Sequence, residues 1–304
     1  MNNKIKIFAF YHDIKPLFKN ELISPLLTGA FSKNFNFDGY RDNNGDNISS
    51  KNKLWAELTG QYWVLKNFIP KHPNLEYIGF CHYRRFFDIL NKKKQKAYKK
   101  IYWEDFSKKF DKNNNAEKIY EKIKEYDIIL PQSYTTKEDS IYEQYCTAHP
   151  KEAIDKLIKI VKRDYPEYVE TMNETLFGKK IYYCLNFIMK KELFEEYFNW
   201  IYDILIKLEQ EDDLEAYYKK NPDYNYIKIP AYLAERFINV WINHKIKTCN
   251  IKILEANTEL LTDFGSKKIN FLIGNIIIAD KIRITLFNLI KFSFKRRVDK
   301  NLNP

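Results

Sequence analysis

An apolar stretch of the chain, Tyr77–Phe87 (YIGFCHYRRFF), ends in a cluster of basic side chains. The run through Cys81 predicts a buried strand, and His82, Arg84 and Arg85 follow directly. Open α/β sheets bind ligands outside the carboxyl ends of their strands. Guanidinium groups hydrogen-bond phosphate bidentately and stay charged. The cluster therefore predicts a site for a phosphorylated ligand.

The alternation of an extended chain divides this cluster between two faces. His82 and Arg84 share one face, whereas Tyr83 and Arg85 share the other. This pattern predicts different roles for the two arginines. The alternative is structural: the arginines make ion pairs, and His82 is a hydrogen-bonded core histidine.

A second candidate region is the start of the helix that follows the polar loop 42–53 (DNNGDNISSKNK). Lys51 and Asn52 stand at this start, where they can reach a phosphate with help from the helix N-terminus. The helix itself is predicted from leucine and isoleucine residues at near-helical spacing, namely Leu54, Leu58, Leu65 and Ile69.

The same loop offers oxygen ligands for a divalent cation in Asp42, Asp46 and Asn47. The spacing is not that of a calcium loop, and Asp/Asn/Gly clusters are more often simple turns. A metal site is therefore the minority interpretation of this loop.

Glu235 (AYLAERF) lies in a helix predicted from about Tyr232 to Asn243. A well-placed carboxylate there can act as a general base for an acceptor hydroxyl. The alternative is an exposed first-turn carboxylate that the helix dipole stabilises. Asp139 and Glu143 (EDSIYEQY) are rival bases.

Charge and composition exclude several classes of protein. The net charge is +11, but from Lys267 to Pro304 nine Lys and Arg against two Asp give +7, leaving +4 for the preceding residues. A nearly neutral core disfavours nucleic-acid binding. The chain has no Gly-rich phosphate loop and four scattered cysteines, which predict neither a zinc site nor a disulfide framework. No secretory signal is recognised, so a cytoplasmic location is expected.

Strands alternate with helices along the chain, as in an α/β fold with a mostly parallel sheet flanked by helices. Lys4–Tyr11 predicts the first strand, Ile181–Met189 a strand that carries Asn186, and Lys191–Leu208 a long amphipathic helix. Residues 1–256 are predicted to form this domain. Residues 257–304 are predicted to be a basic amphipathic helical tail that can lie on an anionic membrane, or alternatively pack on the domain.

The chain resembles a bacterial family encoded in capsule, exopolysaccharide and O-antigen clusters, long catalogued as a domain of unknown function and usually described as glycosyltransferases. The matching segments run in order from Lys4 to Asn243, and CHYRR is the most specific of them. They are KIKIFAFYHDIKP, GDNISSKNKLWAELTGQYWVLKN, EYIGFCHYRRFF, YDIILPQ, SIYEQYCTAHP, CLNFIMKKELFEEYFNWIYDIL and AYLAERFINVWI.

The resemblance implies a GT-A-like, Rossmann-like nucleotide-sugar transferase. In that fold the first strand and the following loop hold the nucleotide, which implies Tyr11 and His12, with Asp46 and Asn47 assigned to the same group. By the same resemblance Glu235 falls where many GT-A enzymes carry the acceptor-activating carboxylate.

An Asp-x-Asp motif normally ends a strand of that fold and holds the metal and the diphosphate. Here His82-Tyr83-Arg84 stands in its place. His82, Arg84 and Arg85, assisted by Lys51 and Asn52, are therefore assigned to the donor diphosphate. Cationic side chains can offset the diphosphate charge, so no metal ligand is predicted, with Mn²⁺ or Mg²⁺ as the alternative.

The remaining site predictions concern the acceptor. Glu235 and Asp139 are the catalytic candidates, and Asn186 and Arg236 are assigned to the acceptor or sugar. The predicted function is transfer of a sugar from a nucleotide sugar to a growing capsular or lipo-oligosaccharide glycan, at the inner face of the cytoplasmic membrane. The alternative is a non-catalytic carbohydrate- or lipid-carrier-binding component of a glycan assembly complex.

Overall fold

The structure is a computed structural model that describes residues 4–91, 99–103, 105–106, 108, 116–220 and 228–261, and the backbone of 273–278, 281–286 and 290–295. The chain divides into two compact units, 1–262 and 263–304. The sequence places this division after Ala256, whereas the strand that contains Ala256 extends to Leu261 within the first unit.

The first unit alternates strands and helices. Its strands are β1 (Ile5–Tyr11), β2 (Ile23–Leu27), β3 (Tyr40–Arg41), β4 (Tyr77–His82), β5 (Arg85–Asp88), β6 (Lys99–Ile101), β7 (Ile128–Pro131), β8 (Tyr134–Thr135), β9 (Lys180–Ile181), β10 (Phe187–Lys190) and β11 (Ile253–Leu261). Its α-helices are α1 (Asn52–Trp55), α2 (Leu58–Trp63), α3 (Ala116–Ile123), α4 (Ile141–Cys146), α5 (Lys151–Asp164), α6 (Val169–Leu176), α7 (Lys191–Glu211), α8 (Leu214–Lys220) and α9 (Ile229–Cys249).

The main sheet is mixed. β1 lies between β2 and β4, parallel to both, and β3 is parallel to β2. On the other side of β4, β10 runs antiparallel to β4 and β7, while β11 is parallel to β7 and β6 but antiparallel to β5. Because β4 and β5 also pair, the strands β4, β5, β11, β7 and β10 close into a small mixed barrel.

The predicted α/β fold is confirmed, and its parallel arrangement holds around β1. The prediction of a mostly parallel sheet is wrong for the barrel half. There the chain reverses in a hairpin between β4 and β5, and β10 inserts antiparallel between β4 and β7.

The first strand is buried on both faces, which explains its continuous apolar sequence. Its aromatic side chains Phe8 and Phe10 stack against Phe80 of β4. Helix α2 packs closely on this layer because Gly60 has no side chain: a Cβ there would lie 2.7 Å from Phe10 Cε1. Burial of each such aromatic ring stabilises the fold by about 1.5–3 kcal/mol.

The leucine spacing predicts one continuous helix, but the structure breaks it at Ala56. Ala56 has φ 44° and ψ −126°, a conformation that costs a non-glycine residue roughly 1–3 kcal/mol. Asn52 Nδ2 donates a hydrogen bond to the Ala56 carbonyl at 2.7 Å and holds this break. The break separates α1 from α2 and sets the position of Glu57.

Asp42 is fully buried and joins three segments of the chain. Its carboxylate accepts hydrogen bonds from the backbone N–H groups of Gly29 and Ala30, both at 2.9 Å. It also accepts from the hydroxyls of Ser49 and Thr59, both at 2.6 Å. The Asp42 carboxylate, a possible metal ligand in the sequence analysis, therefore accepts four hydrogen bonds from the protein itself.

We expect the substitution Asp42→Ala to lower the free energy of unfolding by about 3–5 kcal/mol, because it leaves several buried donors without an acceptor. Urea denaturation measures the change. Asp38→Ala is the matched control, since the Asp38 side chain is 75% exposed. A loss below about 1 kcal/mol, within the range of ordinary surface changes, would contradict the structural role of Asp42.

The second unit contains three antiparallel strands, β12 (Ile273–Ile278), β13 (Lys281–Leu286) and β14 (Ile290–Lys295). The prediction of a helical tail is therefore wrong for these residues. The segments KIRITL and IKFSFK alternate apolar and polar residues, a period of two that is typical of strands. Membrane contact by this tail stays a prediction, since its side chains lie outside the described part of the structure.

Within the described ranges, none of the helices combines the length and the apolar character needed to cross a bilayer.

Candidate site at the carboxyl edge of β1 and β4

A tight turn formed by Tyr83 and Arg84 connects β4 to β5. His82 and Arg85 are direct cross-strand partners on either side of this turn, so their side chains share a face. The prediction that His82 shares a face with Arg84 is wrong, because the chain reverses after His82 instead of remaining extended. Arg84 lies exposed at the tip of the hairpin.

The hairpin is tied to the end of β1. The Tyr83 backbone N–H donates to the Phe10 carbonyl at 3.0 Å. The Tyr83 ring also lies 5.9 Å from the Tyr11 ring and 5.3 Å from the His12 ring. The two segments that the sequence assigned to the diphosphate and to the nucleotide therefore meet at one edge of the sheet.

His82 is a neutral imidazole in this site. Its Nε2 lies 2.7 Å from the Cys184 carbonyl oxygen; because a carbonyl only accepts, Nε2 carries the hydrogen and Nδ1 keeps a lone pair. Burial lowers the pKa of His82 to about 4, with a further lowering from the Arg85 charge and opposition from the Cys184 hydrogen bond. The positive charge of the site therefore comes from lysine and arginine.

The loop before β10 has an unusual backbone. Cys184 has φ 73° and Leu185 has φ 47°, so the predicted strand Ile181–Met189 is interrupted by two left-handed residues. His82 bonds the Cys184 carbonyl, and Glu235 Oε1 accepts the Cys184 N–H at 2.5 Å. Left-handed non-glycine residues that are held in this way concentrate at functional sites.

Glu235 lies deeper in its helix than the sequence indicated. Helix α9 begins at Ile229, so Glu235 is nearly two turns from the N-terminus, and the dipole explanation does not apply. Arg236 Nη1 donates to Glu235 Oε2 at 2.6 Å, and Arg236 Nη2 donates to Gln144 Oε1 at 2.7 Å. A backbone N–H and a guanidinium thus hold the Glu235 carboxylate in one orientation.

Arg236 is only 3% exposed. The sequence assigned Arg236 to the acceptor, whereas the structure makes it the buried partner of Glu235. Asn186 is likewise 3% exposed, and neither of its amide atoms has a hydrogen-bond partner among the described residues. A buried amide without a partner requires an explanation, and a bound ligand or water would supply one.

Two further charged residues belong to this edge, and the sequence offered no signal for either. Glu57 begins the segment after the Ala56 break; burial raises its pKa, while a hydrogen bond from its own backbone N–H and then the charges of Lys228 and Arg85 act in the opposite direction. Lys228 directly precedes α9. Partial desolvation and the charge of Lys228 lower the pKa of His12.

No close ion pair joins Glu57, Arg85 and Lys228. Among the described residues, the side chains of Glu57, Arg85 and Lys228 form no ion pair within 4.0 Å. The charges of Lys228 and Arg85 act to lower the pKa of Glu57, against the larger effect of burial. Ionisable groups with perturbed pKa values are a common feature of ligand sites.

Lys51 and Asn52 are not brought into this cluster. Lys51 Nζ forms an ion pair with Glu209 of α7 at 2.7 Å, and the Asn52 amide bonds the Ala56 carbonyl. Asp46 accepts a hydrogen bond from Tyr62 at 2.9 Å, and Asn47 donates to the Gly45 carbonyl at 2.8 Å. Asn52, Asp46 and Asn47 thus make contacts within residues 42–63, and Lys51 pairs with α7. The assignment of all four to the donor stays a prediction.

Of the two catalytic candidates, Glu235 is the better oriented. The Asp139 side chain is 99% exposed, and its Oδ1 lies 3.7 Å from Lys179 Nζ, whereas the Cys184 N–H and Arg236 hold Glu235.

Tyr11, which the sequence assigned to the nucleotide, is fully buried, and its hydroxyl accepts the Phe18 N–H at 3.1 Å.

No group of three or more His, Cys, Asp or Glu residues in the described part of the chain has a metal-binding arrangement.

The fold and the site together define an α/β protein with charged side chains at one edge of its sheet, and sequence comparison assigns it to a family. Residues 6–246 match the model described as Domain of unknown function (DUF4422). The chain belongs to that family, which confirms the resemblance to a family of unknown function.

One solved structure similar to this chain is the apo form of WbbM, described as a bifunctional glycosyltransferase. The two share 26% sequence identity with a TM-score of 0.75. The match covers 86% of this chain but 46% of the WbbM chain, so this chain spans less than half of that protein. No curated protein matches the sequence.

Proposed function

We propose that this protein is a glycosyltransferase that moves a sugar from a nucleotide sugar to a growing bacterial surface glycan. The observation that carries the proposal is the Glu235 carboxylate, which the Cys184 N–H and Arg236 hold in one orientation. The same Cys184 residue bonds His82, the cross-strand partner of Arg85. The likeness to WbbM supports the same class of reaction.

The donor diphosphate binds Arg84, Arg85 and Lys228 in this proposal. Arg85 is half-buried beside His82, whereas Arg84 and Lys228 are exposed and can move to meet a ligand. Their charges stabilise the negative charge that develops on the diphosphate as its bond to the anomeric carbon breaks. Neutral His82 positions the Cys184 turn and offers Nδ1 as an acceptor. Tyr11 and His12 lie on the nucleotide side.

Glu235 accepts the proton of the acceptor hydroxyl. The hydroxyl oxygen then forms the new bond to the anomeric carbon while the nucleoside diphosphate leaves. The Cys184 N–H and Arg236 hold the carboxylate in position, which favours proton transfer along a fixed direction.

A panel of nucleotide sugars tests this function on the purified protein. The matching donor at 100 times its Kd stabilises the fold by about 2.7 kcal/mol, which thermal shift detects, and transfer to a glycan acceptor is followed by mass spectrometry. Donor binding without turnover would favour the non-catalytic component of a glycan assembly complex. Absence of binding by every nucleotide sugar and nucleoside diphosphate would contradict the proposal.

We expect transfer to continue at the same rate in excess EDTA, because cationic side chains take the place of a metal at the diphosphate. Activity with EDTA, and with EDTA followed by Mn²⁺ or Mg²⁺, is the measurement. Strict dependence on an added metal would contradict this part of the proposal.

A further inference from the structure

Helix α4 is fixed at its start by contacts that lie outside the helical ladder. Ser140 is its N-cap, and the Ser140 hydroxyl accepts the Glu143 backbone N–H at 3.0 Å. The Ile141 N–H donates to the Gly178 carbonyl at 2.9 Å, and the Ile141 side chain is fully buried. A capped and buried first turn holds the backbone of α4 in one position. Gln144 belongs to this short, fixed helix.

Two neighbouring residues of α4 contact the guanidinium of Arg236. Gln144 Oε1 accepts a hydrogen bond from Arg236 Nη2 at 2.7 Å. Arg236 Cζ also lies over the Tyr145 ring, 5.6 Å from its centroid. On α9 itself, the Tyr232 carbonyl accepts from Arg236 Nη1 at 3.0 Å. The N–H groups of a guanidinium point along its plane, so these contacts restrain the group both in its plane and on one face.

Ring contacts join the end of α4 to the start of α9. The His149 ring stacks on the Tyr232 ring with centroids 4.0 Å apart, and it lies 4.9 Å from the Tyr145 ring. Burial, with a further contribution from the Arg236 charge, lowers the pKa of His149 to about 4. His149 is therefore neutral at pH 7 and adds no charge beside Arg236. In the described part of the chain, the carboxylate that pairs with this guanidinium is that of Glu235.

Arg236 connects Gln144 to Glu235 through one rigid group. Because the guanidinium is planar, the atom that holds Nη2 also fixes the direction in which Nη1 meets Glu235 Oε2 at 2.6 Å. Arg236 Nε has no hydrogen-bond partner among the described residues, so Gln144 supplies the hydrogen bond at the end of the group away from Glu235. The Gln144 amide is neutral and does not compete with Glu235 for the positive charge.

We propose that Gln144 is a positioning residue for sugar transfer: through Arg236 it holds the Glu235 carboxylate in the orientation that accepts a proton from the acceptor hydroxyl. This inference rests on the proposed function, since Glu235 is the base in that reaction. Gln144 touches neither the donor nor the acceptor and takes no proton. Its loss therefore slows the step that needs an aligned carboxylate and leaves substrate binding unchanged.

Three substitutions of Gln144 and one control test the inference in the full chain. Gln144→Met keeps the length of the side chain but removes the amide oxygen. Gln144→Asn keeps the amide but shortens the side chain by one methylene, which withdraws the oxygen from Arg236. Gln144→Glu keeps both the length and an acceptor oxygen. Gln210→Met is the matched control, because Gln210 is exposed on α7.

The assay measures release of nucleoside diphosphate from UDP-glucose, UDP-galactose, UDP-N-acetylglucosamine and GDP-mannose, with octyl glycosides of the same sugars as acceptors. The donor and acceptor that wild type uses then give kcat and both KM values for each variant. Circular dichroism and thermal melts establish that each variant is folded at the assay temperature.

We expect Gln144→Met and Gln144→Asn to lower kcat about tenfold, with both KM values within about twofold of wild type. Gln144→Glu should retain at least about a third of the wild-type kcat, because its carboxylate oxygen can still accept from Arg236 Nη2. Gln210→Met should match wild type. A substitution that only loosened the fold would lower the melting temperature without this separation of kcat from KM.

Wild-type kcat in Gln144→Met and Gln144→Asn, or a change confined to KM, would overturn the inference while leaving the proposed function standing. Equal losses in Gln144→Glu and Gln144→Met would also overturn it, since the acceptor oxygen would then be irrelevant. If Gln144→Met does not fold, the comparison of Gln144→Asn with Gln144→Glu decides in the same way. If wild type releases no nucleoside diphosphate from any of these donors, the proposed function and the inference fail together.

Discussion

We expect Arg85→Ala to lower kcat/KM for sugar transfer by at least about 100-fold, a loss of roughly 3 kcal/mol of transition-state stabilisation. Arg85 is half-buried beside neutral His82 and has no ion-pair partner among the described residues. Its removal therefore breaks no close ion pair, and thermal stability should change little. Arg85→Lys should retain more activity than Arg85→Ala, because lysine keeps the positive charge but cannot make bidentate hydrogen bonds to the diphosphate.

Steady-state kinetics with the identified donor, together with thermal melts, measures this effect. Arg84→Ala should lose less activity than Arg85→Ala, because Arg84 is exposed at the hairpin tip. Arg163→Ala is the matched control, since Arg163 pairs with Asp164 and Glu211 on the protein surface. Wild-type turnover by Arg85→Ala would show that the hairpin does not hold the donor.

The parts of the fold that were predictable carry strong local patterns. The first strand was expected at Lys4–Tyr11 and is observed at Ile5–Tyr11. A short apolar run with high β propensity is typical of a buried strand. The helix expected at Lys191–Leu208 extends from Lys191 to Glu211. Its buried and exposed positions alternate with helical period, so the pattern specifies it without tertiary information.

The parts that were not predictable depend on tertiary contacts. Positive φ angles occur at Ala56, Cys184 and Leu185, none of which is glycine. The sequence therefore contains no glycine that would predict the helix break at Ala56 or the turn at Cys184 and Leu185. The turn is held by partners distant in sequence: Cys184 lies 102 residues from His82 and 51 from Glu235. The break is held locally by Asn52, whose amide bonds the Ala56 carbonyl. The hairpin after His82 is similarly unmarked, because neither turn residue is Gly, Asn or Asp.

The same distinction applies to the site. His12, His82 and Arg85 lie at or just after the ends of predicted strands, and Glu235 lies in a predicted helix; in the structure His82 and Glu235 both bond Cys184. Arg236 stands next to Glu235 in sequence, but its partner Gln144 comes from α4, which made its buried structural role unpredictable.

The second large effect is expected for Glu235→Gln, with a fall in kcat of at least about 100-fold and little change in donor affinity. The amide oxygen can still accept the Cys184 N–H, so the turn is kept. The amide cannot accept a proton from the acceptor hydroxyl, however, and it no longer neutralises Arg236. Since Arg236 is buried, the variant should also lose about 3–5 kcal/mol of stability.

This loss of stability obscures the loss of catalysis, and the chain offers a way to separate them. Arg236→Met removes the buried charge from the other side, so combining it with Glu235→Gln removes both charges and should restore most of the lost stability. Restored stability with absent turnover would assign the missing activity to the carboxylate itself. Recovery of turnover by the double variant, or loss of activity in Asp139→Asn instead, would transfer the base to another group. The ion pair orients Glu235, but only its carboxylate can take the proton.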